Sequence, residues 1–303
     1  MFQPYDIYEI TPEDIRFPSL LKEMQNPPQR FFLKGMLPES SLYISIVGTR
    51  KATYEGKELA KQIARRLAEK NIIVVSGLAL GIDAAAHDGA LIGGGKTVAV
   101  LANGLDTIYP RQHEQLAHKI LESGGGIISE YPIGTPALPH QFLERNRIIS
   151  GISSATIVIE APLRSGSIVT ARTAAEQGRE VFVFPGPIQN QNYRGSHQLI
   201  RNGARLVSSF DDIVEDISEL IKEYETDKKN SLCENLNNDM MELINDEEKV
   251  IMKILKEAGT PLSVDNIIES TTLESNVVRQ HLTFLLLDGH IKEQGGFFSP
   301  SSS

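Results

Sequence analysis

"YISIVGTRKATYEGKELAKQIARRLAEKNIIVVSG" (Tyr43–Gly77) holds an apolar β-branched run, a glycine turn, an amphipathic segment and a second apolar run. YISIV (43–47) has the composition of a buried strand. Gly48-Thr49-Arg50 then turns the chain, and Leu59, Ile63 and Leu67 recur at i+4 with Ala60, Ala64 and Ala68 beside them, the spacing of a helix with one apolar face. IIVV (72–75) follows as the next strand, so the span predicts a strand, a crossover helix and a parallel strand.

The same alternation continues downstream. TVAVL (97–101), GIIS (126–129), TIVIE (156–160), VFVF (181–184) and RLVS (205–208) are further apolar runs separated by helix-like segments. An α/β fold is expected, a mostly parallel sheet with helices on both faces. Glycines cluster just after these runs: Gly48 after the first, Ser76-Gly77 and Gly81-Ile82-Asp83 after the second, and Asn103-Gly104 after the third. Ser165-Gly166-Ser167 follows the fifth, and Pro185-Gly186 the sixth. Ligands of open parallel sheets bind beyond the carboxyl ends of the strands, where helix N-termini offer free N–H groups to phosphate oxygens. Glycine is also common in strand-to-helix turns, so no single loop decides; their joint placement points to a binding edge.

"FLERNRIISGISS" (Phe142–Ser154) reads as a helix on which Phe142, Ile148, Ile149 and Ile152 share an arc with Arg145 in its middle. A buried guanidinium needs an anionic partner, because it cannot shed its proton. Two remain open: a phosphate at a pocket rim, or an internal carboxylate such as Glu130 or Glu160. Arg147, two residues on, points elsewhere. Phe142 is either a platform for a base or a core residue.

The chain of 303 residues carries a net charge of −9, unevenly spread. Residues 1–210 hold 22 Lys and Arg against 19 Asp and Glu, whereas residues 211–303 hold 8 against 20. Between Lys119 and Lys222 every basic residue is arginine, whose rigid fork matches phosphate and stacks on bases. No apolar run approaches the roughly 18 residues that span a bilayer. The start, MFQPYDIYEI, lacks a basic region followed by an apolar stretch, so a cytoplasmic location is expected.

Several motifs mislead. Ala90 to Thr97 (ALIGGGKT) satisfies a loose phosphate-loop pattern, but a helix-like segment precedes it and a strand follows, the reverse of what the mechanism needs. No GxGxxG opens a helix after a strand. The seven histidines show no HExxH spacing, and the single Cys233 excludes an internal disulfide and a clustered cysteine metal site, so no metal is expected. No GxSxG elbow appears, so Ser76 and His87 with Asp83 and Asp88 are not read as a triad, and His87 is expected to pack or hydrogen-bond near the crevice. No catalytic residue is assigned.

Residues 1–40, rich in proline and aromatics, read as a lead-in packed on the main domain of residues 41–221. Residues 222–245 are polar and read as a linker. In residues 246–303, three helical segments (about 246–257, 263–269 and 272–287) precede HIKEQGGFFSP, a hairpin around Gly295 and Gly296. Thr271 and Glu274 have capping-box spacing. A small C-terminal winged-helix domain is expected, a generic small helical domain being the alternative; as DNA contacts its last helix offers only Arg279 and His281, beside Glu274, and an interaction or regulatory role stands equally open.

The segments SIVGTR, VVSGLALGIDAAAH, TVAVLANGLDTIYP, GGGIISEYP, FLERNRIISGIS, VIEAPLRSGSIVTARTAAEQGREVFVFPG and GSHQLIRNGA follow in order those of the DNA-processing protein A family (DprA/Smf), which the chain resembles over about residues 10–210. The resemblance implies an extended Rossmann-like fold and a homodimer that binds single-stranded DNA without sequence preference. It further implies a role in natural transformation, protecting incoming strands and helping to load the RecA recombinase, with no cofactor and no catalysis. Carried onto this chain, it places Gly48, Thr49 and Arg50 at the phosphate, with Ser76, Gly77, Gly81, Asp83, His87, Asn103, Gly104, Ser165, Gly166, Ser167 and Thr170 lining the pocket. Phe142, Arg145, Asn146 and Arg147 stand beside it. Arg111 stands in a loop where the family leads one to expect an asparagine. The scaffold also resembles the Lonely Guy nucleotide hydrolases, whose PGGxGTxxE glutamate would fall at Val169 or Thr170 here; the first helical carboxylate is Glu176. A nucleotide-sensing regulator is a third reading.

Overall fold

The computed structural model describes residues 6–38, 42–217, 246–271, 273, 275–287 and 291–300. The apolar runs become strands: β3 (Tyr43–Val47), β4 (Ile73–Ser76), β5 (Thr97–Leu101), β6 (Gly126–Ser129), β7 (Ala155–Val158), β8 (Glu180–Val183) and β9 (Arg205–Leu206). Between them run α2 (Tyr54–Glu69), α3 (Ile82–Ile92), α4 (Glu114–Glu122), α5 (Pro139–Gly151), α6 (Gly166–Glu176) and α7 (Arg194–Arg201), and residues 210–217 form α8. Strands buried on both faces read as continuous apolar runs, which is why they stood out in the sequence.

The strand order is β1-β2-β6-β5-β4-β3-β7-β8-β9, where β1 (Ile7–Ile10) and β2 (Phe31–Gly35) come from the lead-in and flank α1 (Ser19–Lys22). All pairs from β6 to β9 are parallel, whereas β1–β2 and β2–β6 are antiparallel. The lead-in thus extends the sheet. Phe31 and Leu33 are buried, and β2 covers the edge that β6 would otherwise expose.

Right-handed crossovers place α2, α3 and α4 on one face and α5 and α6 on the other. Strand β5 shows how the pleat divides the core. Val98 and Val100 join the cluster of Ile148, Ile149 and Ile168, while Ala99 and Leu101 join Leu116, Ala117 and Ile120.

A second compact unit is described by itself. It contains α9 (Asp246–Ala258), β10 (Leu262–Ser263), α10 (Val264–Ser270), α11 (Ser275–Leu287), β11 (Ile291–Gln294) and β12 (Phe297–Pro300). Ile251, Leu255, Ile267, Leu282 and Phe298 form its own core, and the antiparallel sheet runs β10-β12-β11. The hairpin turns at Gly295 and Gly296, both at positive φ (64° and 84°), as a tight two-residue turn requires. One reading needs correction: Thr271 closes α10, its hydroxyl donating to the Ile268 carbonyl at 3.2 Å, and α11 begins only at Ser275. Glu274, Cys233 and the linker 222–245 lie outside the described residues.

Candidate functional site

From β3 the chain steps outward through β4, β5 and β6, and β7 then returns to the other side of β3. The crevice between the loops after β3 and β7 is therefore the point where the strand order reverses, the place where open α/β sheets bind ligands. A cavity of about 560 Å³ lies there, lined by Gly48, Thr49 and Arg50 after β3, Asp83 on α3, and Phe142, Arg145 and Asn146 on α5. Tyr109, Arg164, Ser165, Gly166, Ser167 and Thr170 also belong to its wall.

The starts of α2 and α6, the helices that follow β3 and β7, differ in what fills them. The fully buried Glu160 accepts from the Thr53 amide at 3.0 Å, from the Thr53 hydroxyl and from Asn192 Nδ2 at 3.0 Å. Its backbone carbonyl takes the Thr49 amide at 2.7 Å. The protein's own carboxylate thus fills the start of α2, where dinucleotide-binding folds seat a pyrophosphate. At α6, by contrast, Ser165 caps none of the leading amides and its hydroxyl lies 2.8 Å from that of Ser167. Unsatisfied amides at such a start attract an anion.

Arg145 meets neither Glu130 nor Glu160. Its Nη1 donates to the carbonyl of Gly77 at 2.9 Å and to that of Val100, clasping the ends of β4 and β5. Asp83 is its electrostatic partner. Burial pulls the guanidinium down to about 10, against the pull of Asp83, and it remains charged at neutral pH. Burial also pushes the Asp83 carboxyl up, opposed by Arg145 and by hydrogen bonds such as that from the Gly77 amide at 3.1 Å. A Cβ on Gly77 would lie 2.5 Å from Arg145 Nη1, so that glycine makes room for the guanidinium. Among the described residues Arg145 Nε, though buried, has no acceptor.

Glu130 belongs instead to Arg147, which holds both its oxygens at 2.5 and 2.6 Å and donates to the Asn26 carbonyl. Arg147 is not part of the cavity wall. Nor are Ser76, Gly77, Gly81, His87, Asn103, Gly104 and Arg111. The Ser76 hydroxyl donates to Ile46 within the sheet, and Asn103 braces its own loop through the carbonyls of Gly104 and Thr107. His87 is fully buried, with Nδ1 2.7 Å from Thr97 Oγ1. Because the Thr97 hydroxyl donates to Val74, His87 is the donor in that bond. Burial lowers its pKa to about 3, and it stays neutral. Gly81, at φ 85°, lets the loops after β3 and β4 touch. Arg111 is exposed on a short 3-10 turn. These residues support the wall from behind or lie beside it.

At the mouth, the Arg50 guanidinium lies 4.9 Å over the Phe142 ring, and Tyr109 meets the same ring at 5.5 Å. Elsewhere Arg16, Arg30, Arg65, Arg66, Arg147, Arg179 and Arg205 each have a carboxylate within 4 Å. Among the described residues, no carboxylate stands so close to Arg50 or Arg164. Tyr109 and Arg164 were missed as site residues. Tyr109 stands eight residues beyond β5, too far for the rule that looks just past a strand end, while Arg164 directly precedes the Ser-Gly-Ser loop. Ala90–Thr97 runs from α3 into β5, the wrong order for a phosphate loop. Among the described residues no helix is long and apolar enough to cross a membrane, and no acidic, histidine or cysteine cluster suits a metal.

The architecture defines an extended Rossmann-like protein with a crevice lined by arginines and a helix start at its switch point. Residues 9–218 match the model of the family described as DNA recombination-mediator protein A. The chain belongs to that family. It is 44% identical over 212 residues to protein Smf of Escherichia coli, covering 69% of this chain and 57% of that one, and thus spans little more than half of that relative. It is 39% identical to DNA processing protein DprA of Streptococcus pneumoniae over 70% of this chain and 74% of that one. Two solved structures share the fold. DNA processing protein A from S. pneumoniae superposes with a TM-score of 0.63 at 38% identity, covering 69% of this chain and 74% of that one. DNA processing protein A from Helicobacter pylori, described for its single-stranded DNA binding mode, superposes with a TM-score of 0.62 at 27% identity, covering 71% and 97%.

Proposed function

We propose that this protein is a recombination mediator that binds single-stranded DNA in the switch-point crevice and acts without chemistry of its own. The carrying observation is the composition of that wall: two arginines without a carboxylate partner, an open helix start and an aromatic ring, beside a helix start already filled by Glu160. Cations and amides hold the phosphodiester chain, and Phe142 offers a face to a base. Family membership and the DNA-binding description of the H. pylori relative support the same reading.

Within that reading the crevice residues Gly48, Thr49, Arg50, Phe142, Arg145, Asn146, Ser165, Gly166, Ser167 and Thr170 form the strand contact, with Asp83 orienting Arg145. The protein protects incoming strands in the cytoplasm, works as a homodimer and hands the strand to the RecA recombinase. The rival nucleotide hydrolase needs a carboxylate beside the glycosidic bond. Val169 and Thr170 stand at the matching position, with the Thr170 hydroxyl donating to the Gly166 carbonyl at 3.1 Å. Asp83, the acidic residue on the cavity wall, is committed to Arg145 and Gly77.

Anisotropy of a labelled oligothymidine across a salt series tests the proposal, with duplex DNA and a free mononucleotide as competitors. Tight, salt-sensitive binding that neither competitor displaces supports it. Displacement by low mononucleotide overturns it in favour of a nucleotide pocket. RecA loading is tested separately by the rate at which RecA nucleates on protein-coated strands.

A further inference from the structure

Resting on the strand-binding reading, we infer that Tyr109 is a second base platform, so that the crevice seats two neighbouring bases splayed apart. Among the described aromatic residues, Tyr54, Tyr109 and Phe297 are well exposed, and of these only Tyr109 lines the cavity. It is 47% exposed, yet its ring is held against Phe142 at a centroid distance of 5.5 Å and an interplanar angle of 56°. A ring that is both fixed and solvent-facing is what sequence-tolerant stacking uses, because every base presents a π-face. No hydrogen bond of its hydroxyl accounts for that placement among the described residues.

The angle gives the pair its consequence. Stacked neighbours in a nucleic acid lie parallel, whereas bases seated on rings inclined at 56° cannot stack on each other. The strand must open between them. A duplex, whose bases are locked in a parallel stack, cannot meet both rings at once. Two tilted platforms therefore select single strands by shape, without reading sequence. Arg50 closes the arrangement: its guanidinium lies 4.9 Å over Phe142, placed to take the phosphate of a nucleotide whose base rests nearby.

The experiment compares two ligands on the full chain, a labelled oligothymidine and an equally long abasic oligomer with the same phosphates. Tyr109→Leu keeps an apolar contact for Phe142 but removes the planar face; Tyr109→Phe keeps the face. Tyr109→Leu is expected to weaken oligothymidine binding about 10-fold or more, the scale of one base-on-ring stack, and to leave the abasic oligomer unchanged. Tyr109→Phe should bind both as the wild type does. Equal weakening on both ligands would show a merely structural tyrosine and overturn the inference. So would wild-type affinity for oligothymidine in Tyr109→Leu while Arg50→Ala loses it, an outcome that leaves the strand reading standing. A wild-type chain that ignores both oligomers removes the strand reading itself.

Discussion

Arg50 and Arg145 are both cavity arginines, yet their surroundings give them different work. Arg50 is exposed and lies over a ring, with the buried Asp83 carboxyl within electrostatic reach but no carboxylate within 4 Å among the described residues, so its charge is available to a ligand; Arg145 is buried and spends Nη1 on two backbone carbonyls. Arg50→Ala should therefore lose a charge-assisted contact of roughly 1.5–3 kcal/mol, about 10- to 100-fold in strand affinity, with little change in melting temperature. The slope of log affinity against log salt should flatten by about 0.7, one phosphate's share for a single strand. An unchanged slope would remove Arg50 from the phosphate. His87 yields a stability prediction. Unfolded, it takes a proton at about pH 6.5, but folded only near pH 3, so the unfolded chain binds the extra proton between these values. Stability falls as pH drops through that window. Asp83, whose carboxyl is raised, acts oppositely above its ordinary value of 3.8, which is why a variant must separate the two. His87→Gln should flatten the loss between pH 6.5 and 4 in urea titrations; an unaltered pH dependence would assign the acid limb to other groups.

At the scale of elements, the site depends on how closely two loops approach. Gly81 opens α3 at φ 85°, and a Cβ there would stand 2.3 Å from the Thr49 carbonyl oxygen, a backbone atom that cannot swing aside. Gly81→Ala should cost about 2 kcal/mol or more through strain and overlap, and should weaken strand binding by pushing Thr49 and Arg50 off their positions. Denaturant melts and the oligothymidine titration check both parts, and unchanged affinity in a destabilised variant would uncouple the loop from the site. The same elements show what was legible beforehand. YISIV, TVAVL and GIIS gave strand bounds that the structure reproduces, because strands buried on both faces leave uninterrupted apolar runs. β1 and β2 were not read as strands, since at the sheet's margin their alternation is short and broken by turns and aromatics. The glycine loops stand at the carboxyl edge of the strands, where the cavity lies. They did not say which residues face the cavity and which support it: Ser76 ends β4, Asn103 follows β5 and His87 lies within α3, yet their polar atoms turn inward, to the Ile46 carbonyl, the Gly104 carbonyl and the Thr97 hydroxyl. The partner of Arg145 was equally out of reach, because two main-chain carbonyls carry no signature in sequence.

For the molecule as a whole, the proposal that an acidic chain binds a polyanion poses a conflict that charge distribution resolves in part. Residues 218–303 hold 8 Lys and Arg against 16 Asp and Glu, so a chain ending at residue 217 moves from a net charge of −9 to −1. The first unit keeps its own core and its whole crevice within Asp216, so the shorter chain retains every residue of the proposed contact. Repulsion between a surplus of negative charge and the strand acts at long range only when salt is low, since the screening length is about 10 Å at 0.1 M and about 3 Å at 1 M. The shorter chain is thus expected to bind oligothymidine severalfold more tightly at low salt, through a faster association rate, and to match the full chain once salt reaches the molar range. Stopped-flow association rates across the series separate this from a direct contact. If the C-terminal unit itself touches the strand, its removal must weaken binding at every salt concentration and speed dissociation, the opposite sign in both observables.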